Sequence, residues 1–119
     1  MSKVRALHLL CKHSGSRNPV SRRTNASTAA VTQKEAHAEL EAIIERLKGK
    51  TGQELVNAFA EEAKARSDCG SFAQGGDLGQ FGPGEMQKPF EQATFALAVG
   101  QMSGIVDTDS GSHIILRLE

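Results

Sequence analysis

The chain contains 119 residues, with 14 basic and 14 acidic side chains that give a formal net charge of zero, and this length is typical of a single domain, residues 1–119. No apolar run approaches the roughly 18 residues that a membrane-spanning helix needs, and the amino terminus lacks the apolar stretch of a secretory signal, so no membrane association is expected. Two cysteines, Cys11 and Cys69, are too few for a disulfide framework and suit a reducing compartment, which predicts a cytoplasmic or nuclear location.

The first third of the chain predicts a buried strand followed by a long basic loop. The compact apolar run Val4–Cys11, with His8 near its middle, is typical of a buried strand. Residues 12–30 lack periodicity and have the composition of a loop, and a loop of this length is usually functional or disordered. Residues 1–34 carry seven basic and no acidic side chains, whereas residues 35–119 carry seven basic and all 14 acidic ones. This asymmetry favours an anionic ligand, although a solvated loop that offsets acidic helices would show it too.

Two amphipathic helices are predicted next. Thr32 and Glu35 have the spacing of a capping box, in which each side chain accepts a hydrogen bond from the backbone of the other residue. Apolar residues follow on one face until Gly49 ends the helix. The same capping spacing recurs from Thr51, and the second helix fades near Arg66.

The middle of the chain predicts a strand, a tight turn and a third helix. Residues 67–76 are small and flexible in composition, and a short strand at 78–81 leads into Gly82-Pro83-Gly84, where glycine permits positive φ and proline fixes one φ. The helix begins near Pro89 and ends at Gly100. Three apolar side chains around the turn could line a small pocket, unless they simply belong to the core of an ordinary strand-to-helix connection: Leu78, Met86 and Phe90.

Two β-rich runs, 105–108 and 113–118, close the chain and are joined by a hairpin signal at Asp109-Ser110-Gly111. The predicted order is strand, helix, helix, strand, helix, strand, strand. Such an order indicates an α+β domain with a small, largely antiparallel sheet and helices packed around it.

The residue patterns argue against a metal site but leave a thiol nucleophile open. His8, Cys11 and His13 lack a second pair of ligands downstream. A calcium loop starting at Asp107 would need a bidentate Glu at its twelfth position, which is Leu118. We therefore expect neither a metal nor another cofactor. Cys69 could be a nucleophile if His8 or His113 lay beside it, although an isolated buried Cys or His usually belongs to the core.

Short motifs over nearly the whole chain resemble one known family. They are Val4-Arg5, His8-Leu-Leu, Lys12-His-Ser, Ser67-Asp-Cys69, Gly76-Asp-Leu-Gly, Met86-Gln-Lys-Pro-Phe90, Met102-Ser-Gly, Thr108-Asp-Ser-Gly and His113-Ile-Ile-Leu-Arg. Together they resemble the parvulin family of peptidyl-prolyl cis-trans isomerases, and within it the Pin-type branch directed to phosphoserine- or phosphothreonine-proline bonds. The resemblance implies an FKBP-like α+β fold with a four-stranded, mostly antiparallel sheet surrounded by helices. Only residues 14–30 depart noticeably from the family pattern.

The resemblance also implies roles for individual residues. Cys69 matches the family's central Cys or Asp, the two histidines beneath it are His8 and His113, and the hydroxyl residues of the same hydrogen-bonded network are Thr108 and Ser110. The proline ring would be held by Leu78, Met86 and Phe90, with Gln87 on the rim. The phosphate would be bound by Lys12 and Arg17, the second of which lies in a basic substrate-binding loop, residues 14–30. Asn18 stands where a second Arg is usual, and Arg22 and Arg23 are close enough in the chain to replace it.

Amide rotation needs neither a covalent step nor a cofactor. Resonance puts a barrier of about 18–20 kcal/mol in the way of rotation, and an apolar pocket that strips water from the bond should favour the twisted amide. For Cys69 the family's acceptance of Asp favours an electrostatic or hydrogen-bonding role over attack on the carbonyl.

The expected partners are phosphorylated Ser/Thr-Pro proteins, bound by a monomer. A chain without Trp cannot contain the small tryptophan-based proline-binding module that often precedes Pin-type domains. Nucleic acid is not expected, because five Phe and no Tyr or Trp leave little for base stacking. The alternative function is a non-enzymatic basic module that binds phosphoprotein or nucleic acid.

Overall fold

The computed structural model describes residues 3–119 and has the α+β architecture predicted from the sequence. The helices and strands, in chain order, are β1 (Val4–Cys11), α1 (Gln33–Leu47), α2 (Gly52–Arg66), a short 3₁₀ helix (Gly70–Gln74), β2 (Asp77–Phe81), α3 (Lys88–Ala96), β3 (Val106–Thr108) and β4 (Gly111–Arg117). Within residues 3–119, none of the helices has the length and apolar character needed to cross a bilayer.

The four strands form one antiparallel sheet in the order β2-β1-β4-β3, so that β1 and β4 occupy its centre. Side chains of a strand alternate between the two faces of a sheet. Leu7, Leu9 and Cys11 of β1 therefore pack with α1 and α2, whereas Val4 and Ala6 pack with α3. His8 follows the same alternation and lies on the α3 face.

Several predicted boundaries were wrong, and the third helix shows why. It ends at Ala96 rather than Gly100. The Arg117 guanidinium of β4 donates hydrogen bonds to the carbonyl oxygens of Phe95 and Leu97 at 3.4 and 2.7 Å, so a distant side chain satisfies the last turn. The final strand begins at Gly111, two residues before the predicted start. In the turn between β2 and α3, Gly84 has a positive φ of 87° whereas Gly82 does not.

The two predicted helix caps also differ, which gives a matched stability test. The Thr32 hydroxyl accepts from the Glu35 amide at 3.1 Å and the Glu35 carboxylate accepts from the Thr32 amide at 3.0 Å, as a capping box requires. Thr51 also precedes a helix, but its side chain makes no capping hydrogen bond. We expect Thr32→Ala to lower the free energy of unfolding by about 1 kcal/mol and Thr51→Ala by only a few tenths, as measured by urea denaturation. Equal losses would contradict this assignment.

Candidate active site

Two adjoining cavities share Cys69 and Ser110 in their walls. One, of about 260 Å³, is lined mainly by apolar and histidine side chains. The other, of about 210 Å³, is lined by cationic side chains. All the site residues predicted from the sequence line one of these cavities, with the exception of Arg23.

The apolar cavity lies between β2 and α3. Leu78 projects from β2, Met86 follows the glycine turn, and Phe90 lies in the first turn of α3. Phe90 is only 4% exposed and packs on Phe81 with ring centroids 6.0 Å apart. The strand-to-helix connection thus places these three side chains both in the smaller hydrophobic core and in the wall of an accessible pocket.

Two histidines from neighbouring central strands form the floor of this cavity. The Nδ1 atoms of His8 and His113 are 3.0 Å apart and the rings are stacked at 25°, while the Phe90 ring lies 5.4 Å from His8 and 5.1 Å from His113. His113 Nε2 is 2.7 Å from the Thr108 hydroxyl. A hydrogen-bonded chain therefore runs from Thr108 through His113 to His8. Because the neutral His113 imidazole has one donor and one acceptor nitrogen, a hydrogen bond accepted at one of its nitrogens requires one donated at the other.

Cys69 is half-buried and lines the same cavity as His8. Burial raises the pKa of the Cys69 thiol, but the neighbouring His8 and Ser71 lower it more strongly, so that it reaches about 6. The lowered pKa favours the thiolate form of Cys69 at neutral pH. Cys11 differs, because burial raises the pKa of its thiol to about 12.

His113 should make the protein sensitive to acid. Burial, reinforced by the charge of His8, lowers the pKa of His113 to about 3. The unfolded chain takes up this proton near its ordinary pKa of about 6.5, whereas the folded protein does not, so acid favours unfolding. This contribution to stability is fully present above pH 6.5 and decreases by about 1.4 kcal/mol per pH unit down to the folded pKa.

Urea denaturation at pH 7 and pH 5 should therefore show a smaller pH-dependent loss of unfolding free energy in His113→Gln than in the native protein. The comparison uses the pH slope of each protein, so an overall destabilisation of the variant does not affect it. Identical slopes would contradict a neutral, buried His113.

The second cavity is positively charged because its cations have no acidic partners. Lys12 is only 6% exposed, and its ammonium donates to the carbonyl oxygen of Val20 at 2.7 Å. Arg17 and Arg22 also line the cavity, which has no Asp or Glu in its wall. None of these three side chains forms an ion pair within the described part of the chain.

Backbone hydrogen bonds hold the basic loop against the rest of the site. The Arg17 amide donates to the carbonyl of Asp109 at 2.7 Å, and the Arg22 amide donates to the carbonyl of Asp68 at 2.9 Å. The same segment forms an isolated β-bridge between Val20 and Ser27. A loop without any regular pattern in its sequence therefore has a defined path, along which Arg17, Asn18 and Arg22 share a cavity with Cys69.

Arg23 does not line the cationic cavity, unlike the other predicted phosphate ligands. Its Nε donates to the carbonyl oxygen of Ser67 at 3.3 Å. The chain reverses immediately after it, with the Ser21 amide bonded to the Ala26 carbonyl. The Arg22 side chain lines the cationic cavity, whereas that of Arg23 binds the Ser67 carbonyl.

Sequence reasoning missed Asp68 and Glu85. Asp68 is 2% exposed, and its carboxylate accepts from the Lys12 amide at 2.9 Å and from Arg66 at 3.1 Å. The Asp68 carboxylate thus positions the backbone of Lys12, and the Asp68 carbonyl oxygen positions the backbone of Arg22. Glu85 lies in the wall of the apolar cavity. No sequence spacing marks either residue; only the adjacency of Asp68 to Cys69 was a signal.

Gln87 links the two cavities rather than only forming a rim. Its side-chain amide donates to the Ser110 hydroxyl at 2.8 Å, and its carbonyl accepts from the Asp109 amide at 3.1 Å. It thereby fixes the β3–β4 turn, whose Asp109 carbonyl in turn holds Arg17.

Within residues 3–119, no cluster of His, Cys, Asp and Glu is arranged to hold a metal ion.

Comparison with known proteins identifies the family. Residues 8–119 match the family described as "Rotamase: PPIC-type PPIASE domain". The chain is 46% identical over 118 residues to the peptidyl-prolyl cis-trans isomerase NIMA-interacting 1 of Theileria annulata, covering 99% of this chain and 81% of the relative. It is 48% identical over 120 residues to the peptidyl-prolyl cis-trans isomerase Pin1 of Digitalis lanata, covering 97% and 95%.

Solved structures agree with this result. The solution structure of TbPIN1 superposes with a TM-score of 0.84 at 57% identity and covers all of both chains. The peptidyl-prolyl isomerase ESS1 from Candida albicans superposes with a TM-score of 0.85 at 39% identity, over 98% of this chain and 63% of that one. The chain therefore belongs to the PPIC-type rotamase, or parvulin, family and is a peptidyl-prolyl cis-trans isomerase.

Proposed function

We propose that this isomerase acts on phosphoserine-proline and phosphothreonine-proline bonds, with the phosphate in the cationic cavity and the proline ring in the apolar one. The observation that carries the proposal is that Cys69 and Ser110 line both cavities. Consecutive Cα atoms are about 3.8 Å apart, so a phosphorylated residue and the proline after it need two sites with a common wall.

The charges of the cationic cavity suit a phosphate dianion. Lys12, Arg17 and Arg22 bring three positive charges to a wall without carboxylates. Charge-assisted hydrogen bonds to phosphate are stronger than neutral ones, and Arg can bind two oxygens at once. Asn18 lines the same cavity and adds a polar but uncharged group. Because Lys12 is buried and already bound to Val20, its ammonium is held in position before substrate arrives.

Catalysis would follow from holding the peptide on both sides of the rotating bond. The phosphate site fixes the residue before the bond, and Leu78, Met86 and Phe90 hold the ring after it. Removing water from a bond whose dipole falls as it twists favours the twisted amide over either planar form. The Cys69 thiolate and the histidine chain would adjust the charge beside the substrate carbonyl without forming a covalent bond. The substrates would be phosphorylated proteins, and the protein would act as a monomer because one chain supplies both cavities.

A protease-coupled isomerase assay tests this proposal with three peptides that differ only in the residue before proline. We expect kcat/KM to be at least about 100-fold higher for phosphoserine than for serine, since two charge-assisted contacts contribute about 1.5 kcal/mol or more each. The glutamate peptide, which carries a single negative charge at this position, should have a kcat/KM between those of the other two peptides. Equal turnover of all three peptides would leave the isomerase activity intact but would contradict the phosphate site.

A further inference from the structure

The turn between β2 and α3 holds a carboxylate in the wall of the proline cavity. Glu85 lines that cavity but not the cationic one. It is exposed, and it is the one Asp, Glu, Lys or Arg that the described part of the chain contributes to the wall. An acidic side chain in a wall built mainly for a proline ring has no role in holding that ring.

The position of this carboxylate is defined by the turn. One oxygen, Oε2, accepts a hydrogen bond from the Gly82 amide, and the Glu85 amide donates back to the Gly82 carbonyl at 3.3 Å. The Gly84 amide donates to the Glu91 carboxylate at 2.5 Å, and Glu91 lies outside the cavity. Glu85 Oε1 has no hydrogen-bond partner among residues 3–119, and the carboxylate forms no ion pair with them. One oxygen is thus held in place by the turn, while the other is left without a partner in a residue that lines the cavity.

The two connected cavities therefore differ in the sign of their Asp, Glu, Lys and Arg side chains. The cationic cavity contains Lys12, Arg17 and Arg22, whereas the apolar cavity contains Glu85. A peptide with its phosphate in the first and the next residue's ring in the second must leave on the side of the second cavity. Extended chain advances about 3.3 Å per residue, so one or two residues beyond proline bring a long side chain to the Glu85 carboxylate.

We propose that Glu85 is a specificity-determining residue that selects substrates with Arg or Lys within two residues after the proline. The inference rests on the phosphate-directed function proposed above, because that function sets the direction of the bound peptide. The preferred substrate carries a negative charge before the rotating bond and a positive charge after the proline, which matches the charges in the walls of the two cavities. Since Glu85 is exposed, its contact with a basic residue is a surface ion pair. Such a pair should lower KM a few-fold and change kcat little.

The test compares two phosphoserine-proline peptides that differ only after the proline, where one has two Arg and the other two citrulline residues. Citrulline keeps the length and planarity of Arg without its charge. We expect the native protein to show a kcat/KM ratio of about three in favour of Arg. In Glu85→Gln, which retains an acceptor for the Gly82 amide, the ratio should fall to about one, and in Glu85→Lys it should fall below one.

A matched control removes the same charge elsewhere. Glu41 is exposed on α1, which packs on the opposite face of the sheet from α3, so Glu41→Gln should keep the native ratio. A ratio that is the same in Glu85→Gln and the native protein would overturn the assignment. The same peptides without phosphate separate the two proposals. If the ratio follows Glu85 but phosphate has no effect, the phosphate site fails; if phosphate matters but the ratio does not follow Glu85, the specificity assignment fails.

Discussion

Replacing Arg17 and Arg22 together with alanine is expected to lower kcat/KM for a phosphoserine-proline peptide by about 100-fold while changing that of the serine-proline peptide by less than about twofold. Both guanidinium groups line the cationic cavity and neither is engaged by a carboxylate within residues 3–119. Their loss would remove two charge-assisted contacts to the phosphate but nothing that the unmodified peptide uses. A coupled isomerase assay on the two peptides measures the selectivity directly.

Arg23→Ala provides the matched control. It removes one positive charge from the same loop, but its guanidinium binds the Ser67 carbonyl and lies outside the cavity. We expect the phosphopeptide selectivity of Arg23→Ala to stay within about twofold of the native value, because a screened charge outside the site contributes little. If Arg23→Ala were as damaging as the double substitution, the loop would contribute general positive charge rather than a defined phosphate site.

The largest effect on turnover itself is expected at Cys69. Cys69→Asp should keep much of the native kcat, whereas Cys69→Ala should lose about tenfold or more. The pKa of about 6 makes the thiol an anion at neutral pH, and Asp restores a negative charge beside His8 whereas Ala does not. A shift of one pKa unit corresponds to an interaction free energy of about 1.4 kcal/mol. An interaction of that size, if it stabilises only the transition state, raises the rate about tenfold.

Two measurements separate this electrostatic role from covalent chemistry. Complete loss of activity in Cys69→Asp, or a thioester adduct trapped with a native substrate, would show that the sulfur attacks the carbonyl. The ionisation itself is followed by alkylation with iodoacetamide, whose rate at Cys69 should rise through a midpoint near pH 6. Cys11 should remain unlabelled in the folded protein, because it is buried and its pKa is raised to about 12.

Sequence patterns that depend on neighbouring residues were reliable at β1 and at the start of α1, but not at the capping spacing of Thr51. A compact apolar run identified β1, and the Thr32 capping box marked the start of α1, because these signals act within one strand or one helical turn. The resemblance to parvulins identified the fold and the isomerase activity, both of which the comparisons confirm. The alternative of a non-enzymatic basic module is wrong, since the chain is an isomerase.

Signals that depend on distant residues were not readable in the sequence. The last turn of α3 is satisfied by Arg117, which lies in β4, 20 and 22 positions from the carbonyls that it binds. His8 and His113 are 105 positions apart, and their 3.0 Å contact depends on the pairing register of β1 with β4.

The amino-acid sequence by itself determined which residue types were available: a basic segment, an apolar turn and a cysteine between them. Only the tertiary structure decided which of them meet. It directs Arg22 into the cationic cavity and Arg23 away from it, and it places Glu85 in the wall of the apolar cavity. The physical reason is that side-chain direction in a loop follows from its long-range backbone hydrogen bonds, here to Asp68 and Asp109, and no local pattern encodes those partners.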